Sequence, residues 1–117
     1  MKKELDTLLN VIANDYAEWT ERMYMKEGYD MDRAHQHVQE FAEGLEIEDG
    51  RKYYKIIKRN GGRSVWGFVM KADDNKFKAG DILKAAGWKA PARNKPRGNI
   101  LQGDFSWVRW TGPEYLV

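Results

Sequence analysis

The sequence predicts an α+β domain in which two N-terminal amphipathic helices pack on a small C-terminal antiparallel β-sheet. Three observations point there. Apolar residues recur at helical spacing over the first 45 positions, the period shifts toward two after Arg51, and a turn signal sits between two β-rich runs. The 117 residues fit one domain, read as residues 1–50 (acidic, helical) and 51–117 (basic, aromatic-rich, β).

The first helix carries Leu5, Leu8, Leu9, Ile12, Tyr16, Trp19 and Met23 on one stripe, and Gly28 stops it. The second spans residues 31–44. Asp30 or Asp32 can cap its start, and Ala34, Val38, Phe41, Ala42 and Leu45 form its apolar face. "EIEDG" reads as the exit from that helix. "KYYKIIK" and "SVWGFVM", joined by "RNGGR", make a β-hairpin, with Trp66, Phe68 and Met70 expected on one face and Val65 and Val69 on the other. "FKAGDILKAAGW" fits either a turn and short strand or a short helix capped by Asp81. Pro91 and Pro96 keep "KAPARNKPRGN" irregular, "FSWVRW" reads as a last strand, and "TGPEYLV" follows it.

Charge is divided unevenly. Residues 1–50 hold five Lys/Arg and thirteen Asp/Glu, whereas residues 51–117 hold fifteen and five, so a net charge of +2 conceals −8 and +10. Either the two halves neutralise each other, or they face different partners. Residues 51–72 and 82–103 contain no acid, and the same half holds nine aromatic residues from Tyr53 to Trp110. Rings beside cations are how single-stranded nucleic acid is held, bases stacking while Lys and Arg follow the phosphates. The competing reading is that the rings build the core and the cations are a solvated surface. The candidate nucleic-acid residues are Trp88, Lys89, Arg93, Lys95 and Arg97 on the basic loop, with Lys55, Arg59 and Arg63 on the hairpin.

Other chemistry finds little support. There is no cysteine, hence no disulfide or thiolate site, and this fits a reducing compartment. His35 and His37 fall about 200° apart on a helix, so "HQH" is no metal pair. Asp73, Asp74 and Asn75 read as turn residues, since no distal glutamate completes a calcium loop. Neither serine lies in a nucleophile elbow, and no phosphate-cradling glycine motif is present. No catalytic, metal or cofactor assignment follows. No apolar run reaches the 18–20 or so residues of a membrane helix, and Glu4, Asp6, Asn10, Asn14 and Asp15 interrupt any signal-peptide core.

"YYKIIK…SVWGFV", "GDILKAAGWKAPARNKPRGNI" and "GPEYL" resemble a group of small uncharacterised proteins encoded by tailed phages, marine phages among them. In that group a strand pair precedes G-D-[IV]-[LY]-K-x-A-x-W-K-A-P-A, a short basic stretch, R-G-N-[IV] and a terminal G-P-x-Y-L. The resemblance covers about residues 51–117. It implies phage origin and expression in a bacterial cytoplasm, and it implies no enzymatic activity. Here Gly87 stands where the group more often has serine, and Lys95-Pro96 lengthens the basic stretch. Two partner classes follow: nucleic acid at the basic half, or a host or phage protein at the acidic helices, with a small-ligand pocket as a third reading.

Overall fold

The computed structural model describes residues 1–28 and 30–114. Two helices, α1 (Lys2–Glu27) and α2 (Met31–Glu43), precede strands β1 (Glu46–Asp49), β2 (Tyr53–Arg59), β3 (Arg63–Met70) and β4 (Ile82–Leu83). A separate pair, β5 (Val108–Arg109) and β6 (Gly112–Pro113), completes the α+β architecture. The larger sheet is an antiparallel meander in the order β1-β2-β3-β4.

Both helices end where their sequence says. Gly28 returns its N–H to the Met25 and Tyr24 carbonyls, and the Asp30 side chain caps α2 by accepting from the Asp32 N–H. Leu5, Leu8, Ile12 and Tyr16 of α1 and Phe41 of α2 bury against Ile56, Trp66, Val69 and Ile82 of the sheet. Tyr16 stacks on Phe41 at 4.0 Å, with Trp110 edge-on to both. The α1 stripe outruns the sheet it packs on. Trp19 and Met23 continue it, yet remain 42% and 40% exposed.

"EIEDG" is more than an exit. Its first four residues form β1, pairing Ile47 with Ile56 and Glu48 with Lys55. Strand β3 also departs from simple alternation. Ile56 and Ile57 of β2 face Gly67 and Val65, so Trp66 is an extra residue bulged out of the ladder. The bulge turns Trp66 onto the helix side with Val69, while Phe68 and Met70 join Phe77 and Leu83 on the opposite face. The indole N–H then donates to the Arg109 carbonyl at 2.7 Å, tying β3 to β5. "FSWVRW" contributes only Val108–Arg109 as strand. Residues 115–117, the end of the "GPEYL" stretch, lie outside the described residues.

Residues 77–104 resolve the ambiguity at Asp81. No helix forms there. Ile82–Leu83 pairs with β3, and the chain then turns back along itself. Arg97 N–H donates to the Ile82 carbonyl, Ile82 N–H to Gly98, and Ala92 N–H to Lys84. A single bridge joins Ala85 to Pro91, and Ala86 and Gly87 both donate to the Ala90 carbonyl. The basic segment is thus the returning limb of an irregular hairpin with Trp88 at its tip.

The base of this hairpin is a buried polar staple. Asp81 accepts from the Lys78 N–H (2.9 Å) and from the Asn99 side-chain amide (2.9 Å). Asn99 also donates to the Ala79 carbonyl and accepts from the Leu101 and Gln102 N–H groups. The backbone beside it has no room for a side chain. A Cβ on Gly98 (φ +122°) would lie 2.5 Å from the Asp104 carbonyl oxygen, and one on Gly80 (φ +87°) would lie 2.8 Å from Asn99 Oδ1. Removing the Asn99 amide strands four polar partners, one of them a carboxylate. Asn99→Ala is expected to lower unfolding free energy by about 2–3 kcal/mol, read as a reduced urea midpoint with an unchanged slope. An unaltered midpoint would show that the staple carries no stability.

Candidate nucleic-acid interface

The eight candidate residues do not form one stripe. Arg97 is 2% exposed. Its Nη1 donates to Asn94 Oδ1 (2.6 Å) and to the Lys95 carbonyl (2.7 Å), bracing the loop from within. Arg93 donates to Asp74 Oδ2 (2.6 Å) and to the Tyr53 hydroxyl (2.7 Å), with its guanidinium 4.8 Å from the Phe77 ring centre. Arg59 pairs with Glu46 and lines a cavity of about 390 Å³ with Tyr16, His37 and Phe41. These three arginines are engaged by the fold.

The other five gather around one indole or stay in solvent. Trp88 is 42% exposed. Lys55 Nζ stands 4.6 Å and Arg63 Cζ 5.2 Å from its ring centre. Both cations rise from the sheet, so the ring lies across a cationic bed. Lys89, next to the ring, and Lys95, on the returning limb, are exposed. Beside Trp88 runs a groove of about 370 Å³ that Lys55 and Lys89 share with Arg51 and Lys52. Tyr53 and Phe68 also line it, and Glu48 and Asp49 are its acids. Arg51 and Lys52 were legible as the start of an acid-free run. Their role was hidden because it depends on β1 and β2 meeting at a tight turn, where Gly50 N–H donates to the Tyr53 carbonyl.

The acid that tempers the basic sheet comes from β1 rather than from the helices. Glu46 receives Arg59 and Arg63, Glu48 lies within 4.0 Å of Lys55 and 3.9 Å of Arg63, and Asp49 binds Lys71. Hydrogen bonds from Arg63 first, then Arg59, hold the Glu46 carboxyl below its ordinary value, while Asp49 raises Lys71. Even with β1 counted on the basic side, residues 45–114 carry +7 and residues 1–44 carry −5.

Asp74 anchors the loop from the other direction. The N–H groups of Phe77 and Lys76 donate to it, and with Arg93 they hold its carboxyl far below the usual carboxylate range. This turn role is the one the sequence assigned to it. The histidines also sit on the helix as expected, and the His37 ring lies 6.0 Å from that of Tyr24. No group of metal-ligating side chains occurs among the described residues, and no described helix is long and apolar enough to cross a membrane.

A family model matches residues 2–113, and the chain belongs to that family, a family of unknown function designated DUF7717. No curated protein and no solved structure matches it.

Two predictions follow from these contacts. Arg97→Ala leaves a buried void and two unmet acceptors and is expected to cost about 2–4 kcal/mol, whereas Lys95→Ala leaves the urea midpoint unchanged. Equal midpoints for both variants would refute the internal role of Arg97. For Asp74, a carboxyl depressed in the folded state stabilises above its unfolded value near 4, and that contribution is lost as pH falls. Thermal melts of Asp74→Asn should therefore vary less than those of the parent between about pH 5 and pH 2.5. Parallel curves would remove the assignment.

Proposed function

We propose that the protein is a non-enzymatic binder of single-stranded nucleic acid that engages its ligand through Trp88 and the cations around it. One observation carries this reading. Trp66 and Phe68 of β3 and Phe77 beside the sheet are buried, at 2%, 1% and 2% exposed, yet Trp88 stays open at the tip of a braced hairpin with two cations against it. A ring recruited only to fill a core would be covered. Stacking on such a ring is worth about 1–3 kcal/mol per base. Lys55, Lys89 and Lys95, with Arg51 and Lys52, take the phosphates, Arg63 lies against the Trp88 ring while paired with Glu46, and Arg59, Arg93 and Arg97 are left out of the contact. The setting that the phage resemblance implies, a bacterial cytoplasm, supplies such strands.

Three phosphates neutralised give a log K that falls by about 2 per tenfold rise in salt, at ~0.7 per phosphate for single strands. In anisotropy titrations with a labelled deoxythymidine oligomer, Trp88→Ala should weaken binding by at least about fivefold. Arg59→Ala should leave it unchanged. Absence of binding at low salt, or a Trp88→Ala variant that binds like the parent, would sink the proposal.

A second reading has its own support. Trp19 and Met23 prolong the buried α1 stripe into solvent, and Met25 is 71% exposed on the same helix. An uncovered apolar stripe on an acidic helical pair fits a protein partner. Under that reading a Trp19→Ala, Met23→Ala double variant loses a defined host or phage partner, and Trp88→Ala does not.

A further inference from the structure

We infer that the groove beside Trp88 is a pocket for a terminal phosphate monoester, so that the protein takes a strand by its end, with the end base on Trp88. The inference rests on the nucleic-acid reading of the same face and adds which part of the strand is held.

Two grooves near Trp88 differ in charge. The groove of about 370 Å³, which meets the ring through Lys55 and Lys89, collects Arg51, Lys52, Lys55 and Lys89 against Glu48 and Asp49. A second groove of about 320 Å³, lined by Trp88 itself, runs past Ser64, Val65, Ala85 and Ala86 with Arg63 as its single cation. A strand lying across the ring with equal internal phosphates on either side gains nothing from that imbalance. An internal phosphodiester carries one negative charge, whereas a terminal monoester carries about −1.5 to −2 at neutral pH. The net positive charge of the groove favours the terminal group over an internal diester. The poorer groove suits the next nucleotide as the strand leaves.

The acids in the cation-rich groove do not annul this preference. Asp49 is held by Lys71, from outside the groove, and Glu48 lies within ion-pair distance of Arg63 as well as Lys55. Lys52 has Asp74 at 3.4 Å as a resting partner, and Asp74 keeps Arg93 when Lys52 turns to a ligand. Arg51 and Lys89 have no acid within ion-pair distance among the described residues, which leaves both heads available. The floor is already positioned, because Tyr53 holds Arg93 and Phe68 is packed in the sheet. A bound phosphate therefore requires movement only from long surface side chains.

The test compares three forms of one hexanucleotide, with a 5′-phosphate, a 5′-hydroxyl or a 3′-phosphate, by calorimetry at fixed salt, with thymidine 5′-monophosphate and inorganic phosphate alongside. A strand with a terminal phosphate, at whichever end the pocket accepts, should bind about tenfold more tightly than the 5′-hydroxyl strand. That advantage should shrink between about pH 7 and pH 5 as the monoester takes up a proton. Arg51→Ala with Lys89→Ala should abolish the preference, weakening the strand with a terminal phosphate more than the 5′-hydroxyl strand, with the melting curve unchanged. Thymidine 5′-monophosphate binding as tightly as the strand supports the pocket and makes the free nucleotide its ligand, and inorganic phosphate should bind more weakly than either. Equal affinity of the three strands would overturn the end-binding inference and leave the general nucleic-acid reading standing. No binding by any strand to the folded protein would overturn both.

Discussion

The buried pairing of Asp81 with Asn99 is the constraint on which the rest of the basic half depends. It closes a loop of 18 residues at its root, and everything between, from Leu83 to Gly98, takes its path from that closure. A hydrogen bond removed from water is stronger than one on the surface, and its unpaired halves are correspondingly costly. Asn99 meets that demand with four bonds and Asp81 with two. The backbone ladder then repeats the connection on both sides, through Ile82 with Gly98 and Arg97, and through Ile100 with Gly80. The stretches "GDI" and "RGNI" are the two sides of this staple. Their glycines admit the close approach, and their Asp and Asn make the bond. These residues build the loop, and the residues between them are left to act.

The distribution of charge follows from β1. A four-residue edge strand with three acids looks unpromising, since only Ile47 offers an apolar side chain to the core. Its pairing with β2 nevertheless satisfies backbone groups and sets Glu46 and Glu48 against Arg59, Arg63 and Lys55. Acids on an outer strand also discourage edge-to-edge association with a second sheet. The helices' own carboxylates remain a separate population. Asp15 accepts the Trp110 N–H, and Glu21 and Glu40 lie beside His35 and His37. The basic body is therefore tempered locally, while the acidic helical pair retains its own sign.

What could be read from the sequence was what depends on neighbours along the chain. The stripes of α1 and α2, their caps and the β2–β3 hairpin repeat at fixed spacing and need no distant partner. Misread features depend on contacts across the chain. The face of Trp66 was misassigned because one bulged residue shifts the alternation, and strict period-two counting has no way to place a bulge. "EIEDG" concealed a strand because its pairing energy comes from the edge of β2 and not from its own pattern. "FSWVRW" alternates well, yet Phe105 to Trp107 turn instead of pairing, leaving two residues in strand. The candidate site divides along the same line. Trp88, Lys89 and Lys95 stand where a proline-stiffened loop would present them. Arg93 and Arg97 were absorbed by Asp74 and Asn94, and a linear count of cations cannot see a carboxylate 19 residues away.

The absorbed arginines bear on how the exposed residues work. A flexible basic loop would have to be ordered on binding, at a cost of about 1–2 kcal/mol per residue fixed in backbone entropy. Here that ordering is completed in folding. Arg97 fills the interior of the returning limb, Arg93 fastens it to Tyr53 and Asp74, and the Lys76 ammonium reaches the Arg93 carbonyl. The tip between Gly87 and Lys89 is consequently held out on a frame whose own cations are already spent. Exposed charges are screened over about 8 Å at physiological ionic strength, so the nearest groups dominate. The local charge at Trp88 is set by Lys55, Arg63, Arg51 and Lys89 and by the carboxylates of β1 beside them, so net charge for the whole chain, at +2, is a poor guide to the charge of this face.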